Sequence, residues 1–300
     1  MALLLLLLWG PVLLAAAIAL ALRLTLLRHT PRMGMRDALI AAVVGGVPTI
    51  LIVAPRAGAF GMGPVLWTDL GQQAALPLAL GIVGVILLSF PARSARMSAS
   101  AQLTPRTVRT FVRPRQPIAL ALVVAVAVIL ALAAGAASET DDLGRHTQFT
   151  ITLGTSGTTA STGIYGWHYS LPSLALLAAL LVVTTVAWLR IPRPAWGEEI
   201  DHDAAVRRTR ADNITRVACG AVLLHLAVVF TSLRGTASVM LSAPANDLGM
   251  ISVGTPFAAM EPALFVAATA ATVTGLALWL LTALSGIPVG ARQQAPAHAS

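Results

Sequence analysis

Seven apolar runs, separated by arginine-bearing or polar loops, decide which solvent this chain can fold in. They cover residues 2–27, 38–54, 74–91, 117–136, 171–189, 217–233 and 262–284, and most approach the roughly 20 residues a helix needs to cross the hydrocarbon core. Apolar residues make up 57% of the chain and charged residues 11%, against about 45–50% and about 25% in soluble domains. The expected fold is therefore all-α: a polytopic membrane protein of seven transmembrane helices, forming a single helical domain over 1–292. The run at 38–54 is short and carries Gly45, Gly46 and Pro48, a composition that predicts a kinked or broken helix.

A cleaved signal peptide is the rival reading of the first run, which follows Met1 and has small residues around Ala15–Ala17. No cation precedes that run, its apolar length is about twice the usual 7–15 residues, and Arg23 and Arg28 stand at its far end. This pattern predicts a first helix inserted with its N-terminus outside. Assigning the loops alternately to the two sides collects seventeen of the twenty Arg on one side, in 23–36, 92–116, 190–216 and at Arg292. Arg56, Arg145 and Arg234 remain on the other, while the twelve acids divide evenly. The positive-inside rule counts Lys and Arg and gives acids little weight, so the Arg-rich side is expected in the cytoplasm: N-out, C-in. The loops 92–116 and 190–216 and the tail 293–300 are then cytoplasmic, and the loops 137–170 and 235–260 extracellular. The net charge of +8 does not argue for nucleic acid, because the cations are spread over short juxtamembrane loops, where they serve insertion and meet anionic headgroups of the bilayer. Every cation is Arg and Ala is abundant, a usage that fits a GC-rich bacterial genome and a multi-pass protein of its plasma (inner) membrane.

After the first helix, the other six form three hairpins that turn on the outer side. Pro77, Pro172 and Pro262 stand at the start of the descending runs and read as first-turn prolines, where the missing amide has no intrahelical partner to lose. The 137–170 loop is polar and Thr/Gly-rich, and Phe149, Ile151 and Leu153 alternate with Thr150 and Thr152, the period of a short strand. Similar material around 239–241 and 250–253 predicts that the two outer loops pair into a small β-hairpin cap. Inside, 201–216 reads as a solvated helix entering the sixth run directly. Its acids Asp201 and Asp203 precede Arg207, Arg208, Arg210 and Arg216, an order that suits the helix dipole. Asp203–Arg207, Arg208–Asp212 and Asp212–Arg216 are each four apart and able to meet on its surface.

His225 is the most informative side chain, since a titratable group in the middle of a span is expensive and often functional. A proton relay and a neutral histidine bonded to a neighbouring helix are both open to it. Cys219 lies on another face of the same helix and cannot join it as a metal pair. Glu261 and Arg234 flank the outer ends of the last two runs and are placed to form an interfacial ion pair or to face a substrate. Tyr165, Trp167, His168 and Tyr169 form an interfacial aromatic belt. Gly154-Thr155-Ser156-Gly157 is similar to the Gly-x-Ser-Gly around the nucleophile of rhomboid intramembrane proteases. In that family the serine begins a transmembrane helix, whereas here Thr158, Thr159, Ser161 and Thr162 follow it in a polar loop. The acids and His202 at 198–203 could attract a divalent cation, but helix N-terminal charge accounts for them, and no nucleotide, dinucleotide or zinc signature is present. No metal or cofactor is expected.

The expectation for function is a non-enzymatic sensing or scaffold component that works with a membrane or cytoplasmic protein partner. Its alternatives are a permease subunit or small-solute transporter, for which the Gly45–Pro48 interruption is the best support, and an intramembrane enzyme built on Ser156, His225 and Glu261.

Overall fold

A computed structural model of the chain describes residues 2–27, 31, 33–58, 69–90, 107–153, 158–193, 200–245 and 249–287. It is mostly helical. The helices are α1 (Ala2–Thr25), α2 (Met35–Gly58), α3 (Leu70–Ser89), the short α4 (Val108–Phe111), α5 (Arg115–Ala136), α6 (Trp167–Arg190), α7 (Ile200–Ala237) and α8 (Glu261–Leu284). Six of them, α2, α3, α5, α6, α7 and the stretch through α8, are long and apolar enough to cross a membrane, and α1 adds a shorter apolar stretch over Trp9–Thr25. The long helices alternate in direction, so the bundle has an Arg-rich end and an opposite end capped by strands.

The centre of the bundle is α7. It packs against α3, α5, α6 and α8, while α2 fills the corner between α3 and α8 and α1 runs along α8. Its apolar window is far more buried than that of any other crossing helix. Small residues allow this. A Cβ on Gly220 would lie 2.6 Å from Trp279 Cδ1, and one on Gly275 would lie 2.8 Å from Leu224 Cγ, so the α7–α8 seam closes only with glycine on both sides. Trp279 is fully buried in that seam, and its Nε1 donates to the Val217 carbonyl at 3.1 Å. In a lipid environment such close packing and a satisfied polar atom replace the hydrophobic drive that water would supply.

The second run is one continuous helix with Pro48 and Pro55 inside it, so of the two expected forms, kinked or broken, the broken one is excluded. The physical reason lies in its neighbours. A Cβ on Gly45 would collide with the Trp279 carbonyl oxygen and come within 2.5 Å of the Ala283 amide, whereas one on Gly46 would meet nothing. Gly45 is therefore a point of close approach to α8, not a hinge. Two of the three prolines also read differently. Pro77 and Pro172 lie inside α3 and α6, because those helices begin at Leu70 and Trp167. Asp69 caps α3 by accepting the Gln72 amide at 3.2 Å, a start signal that the apolar pattern hid. Pro262 alone of the three sits in the first turn of its helix.

At the capped end, β1 (Glu139–Thr140), β2 (His146–Leu153) and β3 (Thr158–Gly163) form one antiparallel sheet. β4 (Met240–Ala245) and β5 (Gly249–Gly254) form a second. Each loop thus pairs with itself, in place of the single shared cap. The turn before β2 is organised by Asp141, whose carboxylate accepts the Leu143 and Arg145 amides at 2.9 and 2.8 Å and the Arg145 guanidinium at 2.9 Å. Those bonds, led by the Arg145 amide, hold its carboxyl down at about 2. Phe149 of β2 meets Phe257, in the turn between β5 and α8, edge-to-face with ring centroids 5.3 Å apart.

Candidate functional site

Three places in the described residues concentrate polar chemistry. The largest is at the Arg-rich end, where the first half of α7 is gripped on several sides. Arg207 is 5% exposed. Its guanidinium pairs with Asp203 at 2.8 Å, donates to the Ile191 carbonyl at 3.2 Å and lies over the Phe111 ring at 5.8 Å. Arg210 bridges to Asp37 of α2 at 3.1 Å, and Gln116 of α5 donates to Asp212 at 2.5 Å. Asn213 donates to the Ser285 hydroxyl at the end of α8 at 2.8 Å and accepts from Arg216 at 2.9 Å. Arg23 of α1 donates to the Ile287 carbonyl.

This overturns the reading of 201–216 as a solvated helix. Of the three expected pairs, Asp203–Arg207 forms. Asp212 is taken by Gln116, and Arg208 reaches the Thr110 carbonyl at 3.5 Å. Desolvated pairs of this kind contribute little net stability in themselves, but removal of one partner leaves a charge stranded, so they fix one arrangement of the helices. Arg and Asn at such spacings give no sequence signal of their own, because the same residues occur on solvated helices.

His225 lies on α7 deep in the bundle, 2% exposed. Its Nδ1 donates to the Ala74 carbonyl of α3 at 2.9 Å, and its ring meets Tyr165 edge-to-face at 6.0 Å. Arg234 and Glu261 come together as the sequence pattern allowed, Nε to Oε1 at 2.5 Å, with the guanidinium 4.6 Å from the Phe265 ring. That pair is partly exposed. Nine residues separate His225 from Arg234 on one helix, about 13.5 Å of rise, so the three candidate residues do not converge. Ser156, Glu198 and Glu199, which entered the protease and cation readings, and most of the 92–116 loop lie outside the described residues. Among the described residues no three His, Cys, Asp or Glu side chains gather to hold a metal. His146 Nδ1 donates to the Ser138 carbonyl at 3.1 Å, and the His168 ring meets Tyr169 edge-on.

The third feature, a cavity of about 440 Å³, was not legible in the sequence. It lies toward the capped end between α2, α3, α7 and α8. Leu51 and Pro55 of α2, Gln73 and Pro77 of α3, and Leu224 and Thr231 of α7 mark its walls. No family model matches the chain, and no curated protein or solved structure is significantly similar to it.

Proposed function

We propose that the chain is a non-enzymatic sensing or scaffold component of a bacterial plasma membrane, crossing it seven times with α1 as the first span, N-terminus out and C-terminus in. One observation carries this reading: α7 is a single uninterrupted helix of 38 residues that joins the two exposed ends of the molecule. Its length is about 57 Å, against a hydrocarbon core of about 30 Å, so it extends well beyond the bilayer. At the capped end Thr236 donates to the Gly163 carbonyl of β3 at 2.7 Å. At the other end α7 carries the gripped Arg and Asp side chains, and His202 and Arg208 beside them are exposed. A displacement of the outer strands therefore has a rigid route to a charged inner surface where a partner protein can dock.

A photocrosslinking residue in place of His202, expressed in native membranes, tests this. The expected result is a discrete adduct with one partner protein that disappears when Arg208 is changed to Glu. Adducts with lipid alone, from His202 and Arg208 positions alike, would remove the reading.

A second reading, as a permease subunit or small-solute transporter, is supported by the cavity between α2, α3, α7 and α8. The continuous α2 removes the interrupted span on which that reading first stood.

A further inference from the structure

The cavity has a shape that follows from the distribution of glycine along its walls. Toward the Arg-rich end, α2 and α3 touch. A Cβ on Gly84 would lie 2.9 Å from Val44 Cγ1, and Gly45 presses on the backbone of α8. Toward the capped end, α2 carries Leu51, Ile52 and Pro55 where glycine stood a few turns before, and the helices are wedged apart. The back wall is α7 from Leu224 to Ser232, a depth of about 12 Å.

Polarity changes along that depth. The floor is Leu224, Leu76 and Pro77, with the Thr272 hydroxyl turned onto its own helix at Ala268. The rim holds Gln73, Thr231 and Ser232. The Thr231 hydroxyl donates to the Ala227 carbonyl at 2.7 Å and so presents an acceptor outward. Pro55 supplies no amide to the carbonyl of Leu51, another wall residue, which adds acceptor character on the opposite side. None of the lining residues is charged, and an ionised group held there would lose hydration without a counter-charge. A second groove, between α5, α7 and α8, is lined by Leu, Val, Phe and Ala with Thr274 and has no such gradient.

We propose that this wedge is a binding site for an uncharged, hydroxyl-bearing amphiphile, with its apolar chain on the Leu224–Pro77 floor and its hydroxyl at the Gln73–Thr231–Ser232 rim. The site is independent of whether the protein signals or transports. A neutral membrane lipid and a free long-chain alcohol share this chemistry.

The test uses the full-length protein in vesicles containing a diazirine-bearing long-chain alcohol, with peptide mapping after irradiation. Labelling is expected on α2, α3 and α7 segments that line the wedge. Thr231→Trp, an exposed position whose larger side chain fills the rim, should abolish it, and Ser232→Ala should weaken it by about tenfold, the loss of one ordinary hydrogen bond. Ala270→Trp, in the other groove, should leave it unchanged. The carboxylate and quaternary ammonium analogues of the same chain should not compete. Competition by a diacylglycerol would mark a membrane lipid as the source, and competition by the free alcohol alone would mark a soluble amphiphile. Labelling spread evenly over lipid-facing helices, or insensitive to both wedge variants in folded protein, or equal for all three headgroups, would show bilayer lipid only and overturn the proposal.

Discussion

His225 shows how one residue can satisfy opposite expectations from sequence. A titratable ring at mid-bundle reads as a proton relay, yet its geometry is that of a strut: Nδ1 to the Ala74 carbonyl at 2.9 Å, packed on Tyr165 and 2% exposed. The neighbouring Pro77 explains why the contact falls there. A proline bends the helix that carries it and crowds the carbonyls one turn earlier, tilting them toward donors on other helices. His225→Leu should therefore assemble normally and lose about 0.6–2 kcal/mol, the range of an interhelical hydrogen bond in a membrane. Thermal unfolding in mild detergent measures this. Unchanged stability accompanied by loss of a proton-dependent activity would instead make the ring functional.

At the scale of the elements, helix existence was legible and helix purpose was not. Apolar length alone gives α2, α3, α5, α6 and α8, because bilayer thickness fixes how many residues a span needs. The start of α3 at Leu70 was hidden because Gly71, Gln72 and Gln73 are polar, and the cap at Asp69 is a single residue. The continuity of α2 was hidden for a different reason. A Gly-Gly-x-Pro sequence can kink a helix or let a neighbour approach, and only the position of α8 decides between them. The two adjacent glycines separate these meanings. Gly45→Ala should destabilise by about 1–3 kcal/mol through overpacking against the α8 backbone. Gly46→Ala, with open space at its Cβ, should be neutral or stabilising by up to about 1 kcal/mol through helix propensity. Equal effects from both would contradict a role for Gly45 as a close-approach point. The cavity was beyond sequence altogether, since it arises where α2 passes from its close glycine contact with α8 to the bulkier Leu51, Ile52 and Pro55 beside α3 and α7, and from no motif within any one helix.

For the whole molecule, the proposed role depends on α7 crossing the bilayer between two unlike ends. The long helix was foreseeable from the acids preceding its arginines and the apolar run that follows without a breaker. Its grip at the Arg-rich end was not, because Asp37, Gln116 and Ser285 reach it from three other helices across long stretches of chain. The proposed role requires one orientation of that helix, and impermeant thiol labelling measures it most directly. Cys219 is buried and is the one native cysteine, so Cys219→Ser gives a silent background. In intact cells, Thr150→Cys on β2 should react with a membrane-impermeant maleimide, and Ala205→Cys on α7 should react only after the membrane is opened. Reaction at 205 with protection at 150 would invert the molecule, and equal reaction at both in intact cells would mean that α7 does not cross the bilayer.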